Sequence, residues 1–171
     1  MAAGRAVWAA AALAAAWVAA AAGEVELKGV SMGDHIDKAR AQLEARVPPG
    51  VAVSEVFPAK GEGKLQFTLG DGAGWVVSDD HERVKWIWLS PGLAREMFDL
   101  APMTDAELAG LLGAAWDIPA GAWASSWVAG PWGPAATCLQ ATVGDCTVTV
   151  GPDGGVMVRR TDRRDIRKIV K

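Results

Sequence analysis

The stretch Leu65-Gln66-Phe67-Thr68-Leu69-Gly70-Asp71 returns as Leu139-Gln140-Ala141-Thr142-Val143-Gly144-Asp145, with five of the seven positions identical. A match of that quality, at an offset of 74 residues, is the mark of a structural unit carried twice. At the same offset Asp79 and Val84 answer to Asp153 and Val158. At an offset of 71, Met32, Asp34, Pro48, Gly50 and Ser54 answer to Met103, Asp105, Pro119, Gly121 and Ser125. The change of offset puts a three-residue insertion in the second copy, near Gly130-Pro131-Trp132-Gly133-Pro134. The chain then divides into a signal peptide over 1–22, a first unit over 23–89, a second over 90–160 with a short leading helix, and a basic segment over 161–171.

In both copies the repeated stretch ends in Gly-Asp between two strand-like runs. Glycine at the first central position suits a two-residue hairpin turn, and such a turn fixes the register of the strands beside it. The first copy reads as strands over Val51–Phe57, Lys64–Leu69, Gly74–Ser78 and Arg83–Leu89. Their counterparts are Ala122–Val128, Ala136–Val143, Cys146–Val150 and Gly155–Arg160. The register sends Leu65, Phe67, Leu69 and Val76 to one side, with Leu139, Ala141, Val143, Cys146, Val148 and Val150. The other side receives Lys64, Gln66, Thr68, Trp75 and Val77, matched by Cys138, Gln140, Thr142, Thr147 and Thr149. One side is apolar and the other is rich in Thr and Gln, so helices are expected to cover the first and leave the second open.

Each copy opens with a helix. Thr104 and Glu107 form a capping-box pattern, and Leu108, Leu111, Leu112 and Ala115 follow at helical spacing. In the first copy the helix is expected to start near Gly33-Asp34 and to bury Ile36, Ala39, Leu43 and Val47. Both stop before a proline, Pro48 or Pro119. Ser90-Pro91 can open a further short helix through Leu93, Met97 and Phe98, and Thr161 can cap another at the end of the chain. The fold class is therefore α+β: two tandem units, each a helix plus a four-stranded antiparallel sheet, with the helices on one sheet face.

Met1–Gly4 with Arg5, the apolar run Ala6–Ala19 and the small residues Ala20-Ala21-Ala22 have the layout of a secretory signal peptide. The run is short and weakly apolar against the ~20 strongly apolar residues of a membrane span. The mature chain is thus expected to be exported, periplasmic or extracellular, with no span and no lipid-accepting Cys after the apolar run. Net charge is −3 overall, yet Arg159–Lys171 carries +5, leaving Glu24–Val158 at −9. An acidic body argues against nucleic acid as the main partner, because phosphate binding needs a broad basic surface.

Signals for catalysis are missing. The two histidines, His35 and His81, fall at a helix start and in a charged turn, without Cys or carboxylates at metal-ligand spacing. Ser125-Ser126 lies inside a strand-like run, and the glycine-rich pieces are hairpin turns rather than phosphate-cradling loops. No enzyme activity, metal or cofactor is expected. Cys138 and Cys146 are an even pair in an exported chain, which favours a disulfide; the hairpin register, placing them on opposite sides of the sheet, argues against one. Both alternatives stand.

Nine tryptophans and no tyrosine make the aromatic content unusual. Trp116 ends a helix, and Trp86 and Trp88 share strand parity with Val84, so all three are expected in the core. Trp75 falls on the polar side beside Gln66, and Trp132 in a loop. Trp123 and Trp127 share one strand face, which can be core or surface. Exposed Trp on a rigid sheet is typical of protein-binding hot spots, and the same ring face can stack on sugars. The candidate binding residues are Lys64, Gln66, Thr68, Trp75, Trp123, Trp127, Trp132, Gln140 and Thr142.

The export signal, Gly29-Val30-Ser31-Met32-Gly33-Asp34 opening a helix, and strands leading to Arg83-Val84-Lys85-Trp86-Ile87 resemble the secreted β-lactamase-inhibitor-protein-like group. They also resemble the single-copy SmpA/OmlA (BamE-type) outer-membrane assembly domain; the tandem arrangement is closer to the former. That resemblance implies a sheet surface that grips a partner protein. It carries over no inhibitory contact residue, and the cysteine pattern differs. The function expected is a non-catalytic module binding another exported or envelope protein. The alternative is carbohydrate or cell-wall binding through exposed Trp.

Overall fold

Local signals in the chain set each element, and the computed structural model describes residues 25–56, 66–70, 72–131 and 133–161. The signal-peptide stretch, Lys64, Leu65, Asp71, Trp132 and the expected helix after Thr161 lie outside the described residues. A two-stranded hairpin comes first, β1 (Glu26–Leu27) with β2 (Val30–Ser31), followed by α1 (Ile36–Arg46). Then come β3 (Val53–Val56), β4 (Gln66–Leu69), β5 (Gly74–Ser78) and β6 (Val84–Leu89). Two helices, α2 (Pro91–Phe98) and α3 (Asp105–Ala115), lead to β7 (Ala124–Gly130), β8 (Gly133–Val143), β9 (Cys146–Val150) and β10 (Val156–Arg160). The protein is α+β, with three α-helices, one large antiparallel sheet and one small one among the described residues.

The helix caps follow from side-chain chemistry. Thr104 N–H donates to Glu107 Oε2 at 2.8 Å while Glu107 N–H donates to Thr104 Oγ1 at 3.3 Å, the reciprocal box that satisfies two orphan donors. Ser90 Oγ accepts from Leu93 N–H, and Pro91 opens α2 where its missing N–H costs nothing. α1 starts later than its sequence suggests. Gly33 sits at φ +91, outside helical geometry, and the Asp34 carboxylate accepts from Ser31 N–H at 3.0 Å instead of capping the helix. His35 is the N-cap, its Nδ1 accepting from Asp37 N–H at 3.4 Å.

The large sheet runs β3-β4-β5-β6-β10-β9-β8-β7, two consecutive four-stranded meanders joined through their last strands. At that seam Val156 pairs with Leu89 and Val158 with Ile87. Around the hairpin turns Val143 pairs with Cys146 across Gly144-Asp145, whereas Leu69 pairs with Gly74 across a four-residue loop. Both loops preserve side-chain parity, because two and four residues leave the alternation unchanged. Phe67, Leu69, Val76, Ile87, Leu89, Ala141, Cys146, Val148, Val150, Val156 and Val158 are all buried. They join Ile36, Ala39 and Leu43 of α1, Leu93 and Met97 of α2, and Leu108 and Leu112 of α3 in one core cluster. Trp116 belongs to it, and its Nε1–H donates to Glu26 O at 3.2 Å, tying the small hairpin to the end of α3.

One latch closes the end of the sheet. Arg160 Nε–H donates to Asp145 Oδ2 at 2.7 Å, and the same guanidinium lies against Gly33, where a Cβ would meet Nη1 at 2.8 Å. Burial pushes the Asp145 carboxyl up, but hydrogen bonds from Arg160 and Cys146 and the charge of Arg160 outweigh it and hold the group below its usual value. A depressed carboxylate contributes stability above its unfolded value and loses it as pH falls through the folded one. Both side chains are partly exposed, so solvent screening keeps the contribution to about 0.5–1 kcal/mol. Asp145→Asn is expected to lose that amount in urea denaturation at pH 7. The gap from the parent protein should narrow as pH falls below the unfolded value of about 3.9, and close once the carboxylate is protonated in the folded state as well.

Among the described residues, no helix is long and apolar enough to cross a membrane.

Candidate functional site

The side of the sheet away from the core cluster is built by side-chain alternation, interrupted at register shifts in the β5–β6 and β7–β8 pairs. Pairing carries one row straight across all eight strands: Ser54, Thr68, Trp75, Trp88, Met157, Thr149, Gln140 and Ala124. At ~4.8 Å between strands that row is about 34 Å long. A second row beside it holds Val56, Gln66, Val77, Trp86, Arg159, Thr147 and Thr142.

Trp86 and Trp88 are the correction here. Parity with Val84 assigns them to the core, but the register shifts between Val77 and Ser78: Val77 pairs with Trp86, and Ser78 with Val84. Lys85 is the extra residue of a β-bulge, which reverses parity on its far side. Val84 therefore stays buried with the core while Trp86 and Trp88 point out beside Trp75. The three indoles pack edge to face. Trp75 lies 6.2 Å from Trp86 at 88° and 5.9 Å from Trp88 at 79°. Such geometry lets the positive edge of one ring meet the negative face of another and holds each in place. Trp75 remains 37% exposed.

The Thr and Gln residues fill the flank. Gln140 Nε2–H donates to Thr149 Oγ1 at 3.1 Å, and Thr149 is fully buried although it stands on the open side. Thr142 is exposed and Thr68 half-buried. The Trp88 indole N–H is buried and has no hydrogen-bond partner among the described residues.

The candidate residues do not all converge. Thr68, Trp75, Gln140 and Thr142 share the open side, with the backbone of Gln66 in the second row; Lys64 and Trp132 lie outside the described residues. Trp123 and Trp127 belong to the opposite side, since Trp127 pairs with Thr137 in the parity of Leu139. Trp123 packs against the core cluster, its Nε1 only 3.3 Å from where a Gly113 Cβ would be. Trp127, on the edge strand, is 74% exposed. Between Trp123 and α3 runs an open cleft of about 710 Å³ bordered by Gly110, Gly113, Ile118, Trp123 and Leu139.

Cys138 and Cys146 are buried as separate thiols on opposite sides of the sheet. Burial, with the charge of Asp105 second, pushes the Cys138 thiol up, so it is a poor nucleophile at neutral pH. Among the described residues no group of three His, Cys, Asp or Glu side chains is placed to hold a metal ion. His35 lies near Asp37 at 3.5 Å and Glu82 at 3.4 Å on the exposed start of α1. Comparison of the chain with known protein families, with curated proteins and with solved structures returns no match.

Proposed function

We propose that this chain is an exported, non-catalytic protein-binding module whose open sheet face receives a partner protein of the cell envelope or its surroundings. One observation carries the reading: Trp75, Trp86 and Trp88 stand together on the side of the sheet that no helix of the core cluster covers. Aromatic anchors fixed by their neighbours lose little entropy on binding and dominate interface energetics. We read the two meanders as one duplicated unit, as in the β-lactamase-inhibitor-protein-like group that the sequence resembles. Duplication joined at β6 and β10 makes a surface twice as wide as one unit supplies.

The test is quantitative capture from envelope extract with the mature chain as bait. Partners held by the parent protein should be lost with Trp75→Ala/Trp88→Ala and kept with Trp127→Ala. The reverse pattern removes the proposed face.

A second reading rests on Trp127, whose exposed ring could stack on a sugar. Sedimentation with peptidoglycan separates it: binding lost on Trp127→Ala alone would favour a cell-wall module.

A further inference from the structure

We infer that the partner surface received by the open face is acidic, presenting an Asp or Glu beside an apolar side chain. This inference rests on the protein-binding reading above and specifies its partner. In the two cross-strand rows Arg159 is the one charged residue, and no carboxylate stands in either. Glu24–Val158 is acidic, at −9, and Arg159 opens the basic segment that ends the chain. The nearest strand carboxylate by pairing, Glu55, projects with Phe67 to the opposite side and is tied to Arg40.

Arg159 is exposed, and its side chain makes no hydrogen bond or ion pair with any described residue. Its neighbour Arg160, one position on and therefore on the core side, is already committed to Asp145. Arg40, Arg83 and Arg95 likewise have hydrogen-bond partners. Arg159 stands directly across from Trp86 on one strand and Thr147 on the other. Residues so paired have Cβ atoms about 4.5–5.5 Å apart, so a partner that covers Trp86 also removes water from the guanidinium. A desolvated guanidinium without an anion is strongly unfavourable, whereas a carboxylate can meet its donor fork with two parallel N–H···O bonds. The tryptophans take the apolar group next to that carboxylate. No carboxylate stands in either row to repel an acid.

A random-peptide phage library panned on the intact mature chain tests this. Selected peptides should share an Asp or Glu next to an aromatic or aliphatic residue, and Trp75→Ala/Trp88→Ala should abolish their binding. Arg159→Glu should weaken them about 30-fold or more, and panned afresh should select Lys or Arg instead. The exposed position keeps the variant folded, which circular dichroism verifies. Peptides that need Trp75 and Trp88, carry no acid and are unaffected by Arg159→Glu would overturn the acidic partner while leaving the face intact. Peptides indifferent to all three residues would overturn both. A library that yields no binder overturns the acidic segment.

Discussion

Alanine at Trp75 and Trp88 together is expected to weaken the captured protein partner about 100-fold or more, the equivalent of roughly 2.7 kcal/mol. The two indoles touch edge to face, so their effects are coupled and the double substitution will cost less than the two single losses added. Some of the change will appear as stability. Each aromatic pair contributes about 0.5–1.5 kcal/mol beyond the area it buries, and Trp75 takes part in two. Urea denaturation of the variant measures that part separately. Trp127→Ala is the matched control: its ring is 74% exposed, so stability should change by no more than about 0.5 kcal/mol. Loss of affinity in the first variant and not in the second assigns the binding to one side of the sheet.

The second large effect belongs to the seam. Val158 is fully buried in β10, paired with Ile87 on β6 and Val148 on β9. Val158→Asp would put a carboxylate among aliphatic side chains with no cation to meet it. An uncompensated buried charge costs about 3–5 kcal/mol, set against a total stability of about 5–15 kcal/mol for a domain of this kind. The variant is expected to be largely unfolded or to melt far below the parent protein. Because one core cluster spans both meanders, tryptophan emission from Trp75, Trp86 and Trp88 and the far-ultraviolet circular dichroism should be lost together. A variant that kept native emission with part of its circular dichroism would mean that each meander folds alone.

Much of this architecture is written in short, local signals. The Thr104 and Ser90 caps, the Gly144-Asp145 turn and the alternation of Phe67, Leu69 and Val76 all rest on residues close in the chain. Each appears where its chemistry requires. The tryptophans obey no single local pattern. In Val84-Lys85-Trp86-Ile87-Trp88-Leu89 simple parity groups Val84 with the indoles, yet Ile87 and Leu89 are the aliphatic pair suited to the core. Counting back from Leu89 in steps of two lands on Lys85, which cannot be buried opposite Ser78 without a partner. That conflict between the two ends of one strand was the signal for a bulge. Trp123 and Trp127 lack any such anchor, because among the described residues β7 has a neighbour on one side only, and it begins after a 3₁₀ turn at Ala120–Ala122. Met157 and Arg159 join the surface through the β6–β10 pairing, a contact between distant parts of the chain that no local pattern encodes. For α1, Gly33 and Asp34 look like a helix start until the left-handed backbone and the Ser31 hydrogen bond are seen.

The central claim, that a partner docks on the open side of the sheet, is met most directly by site-specific photo-crosslinking in envelope extract. A benzophenone side chain placed at Thr68 or Thr142 should form covalent adducts with a protein partner, and one placed at Gly110 or Trp127 should not. Adducts from Gly110 or Trp127 with none from Thr68 and Thr142 would put the docking surface on the helix side and contradict the account.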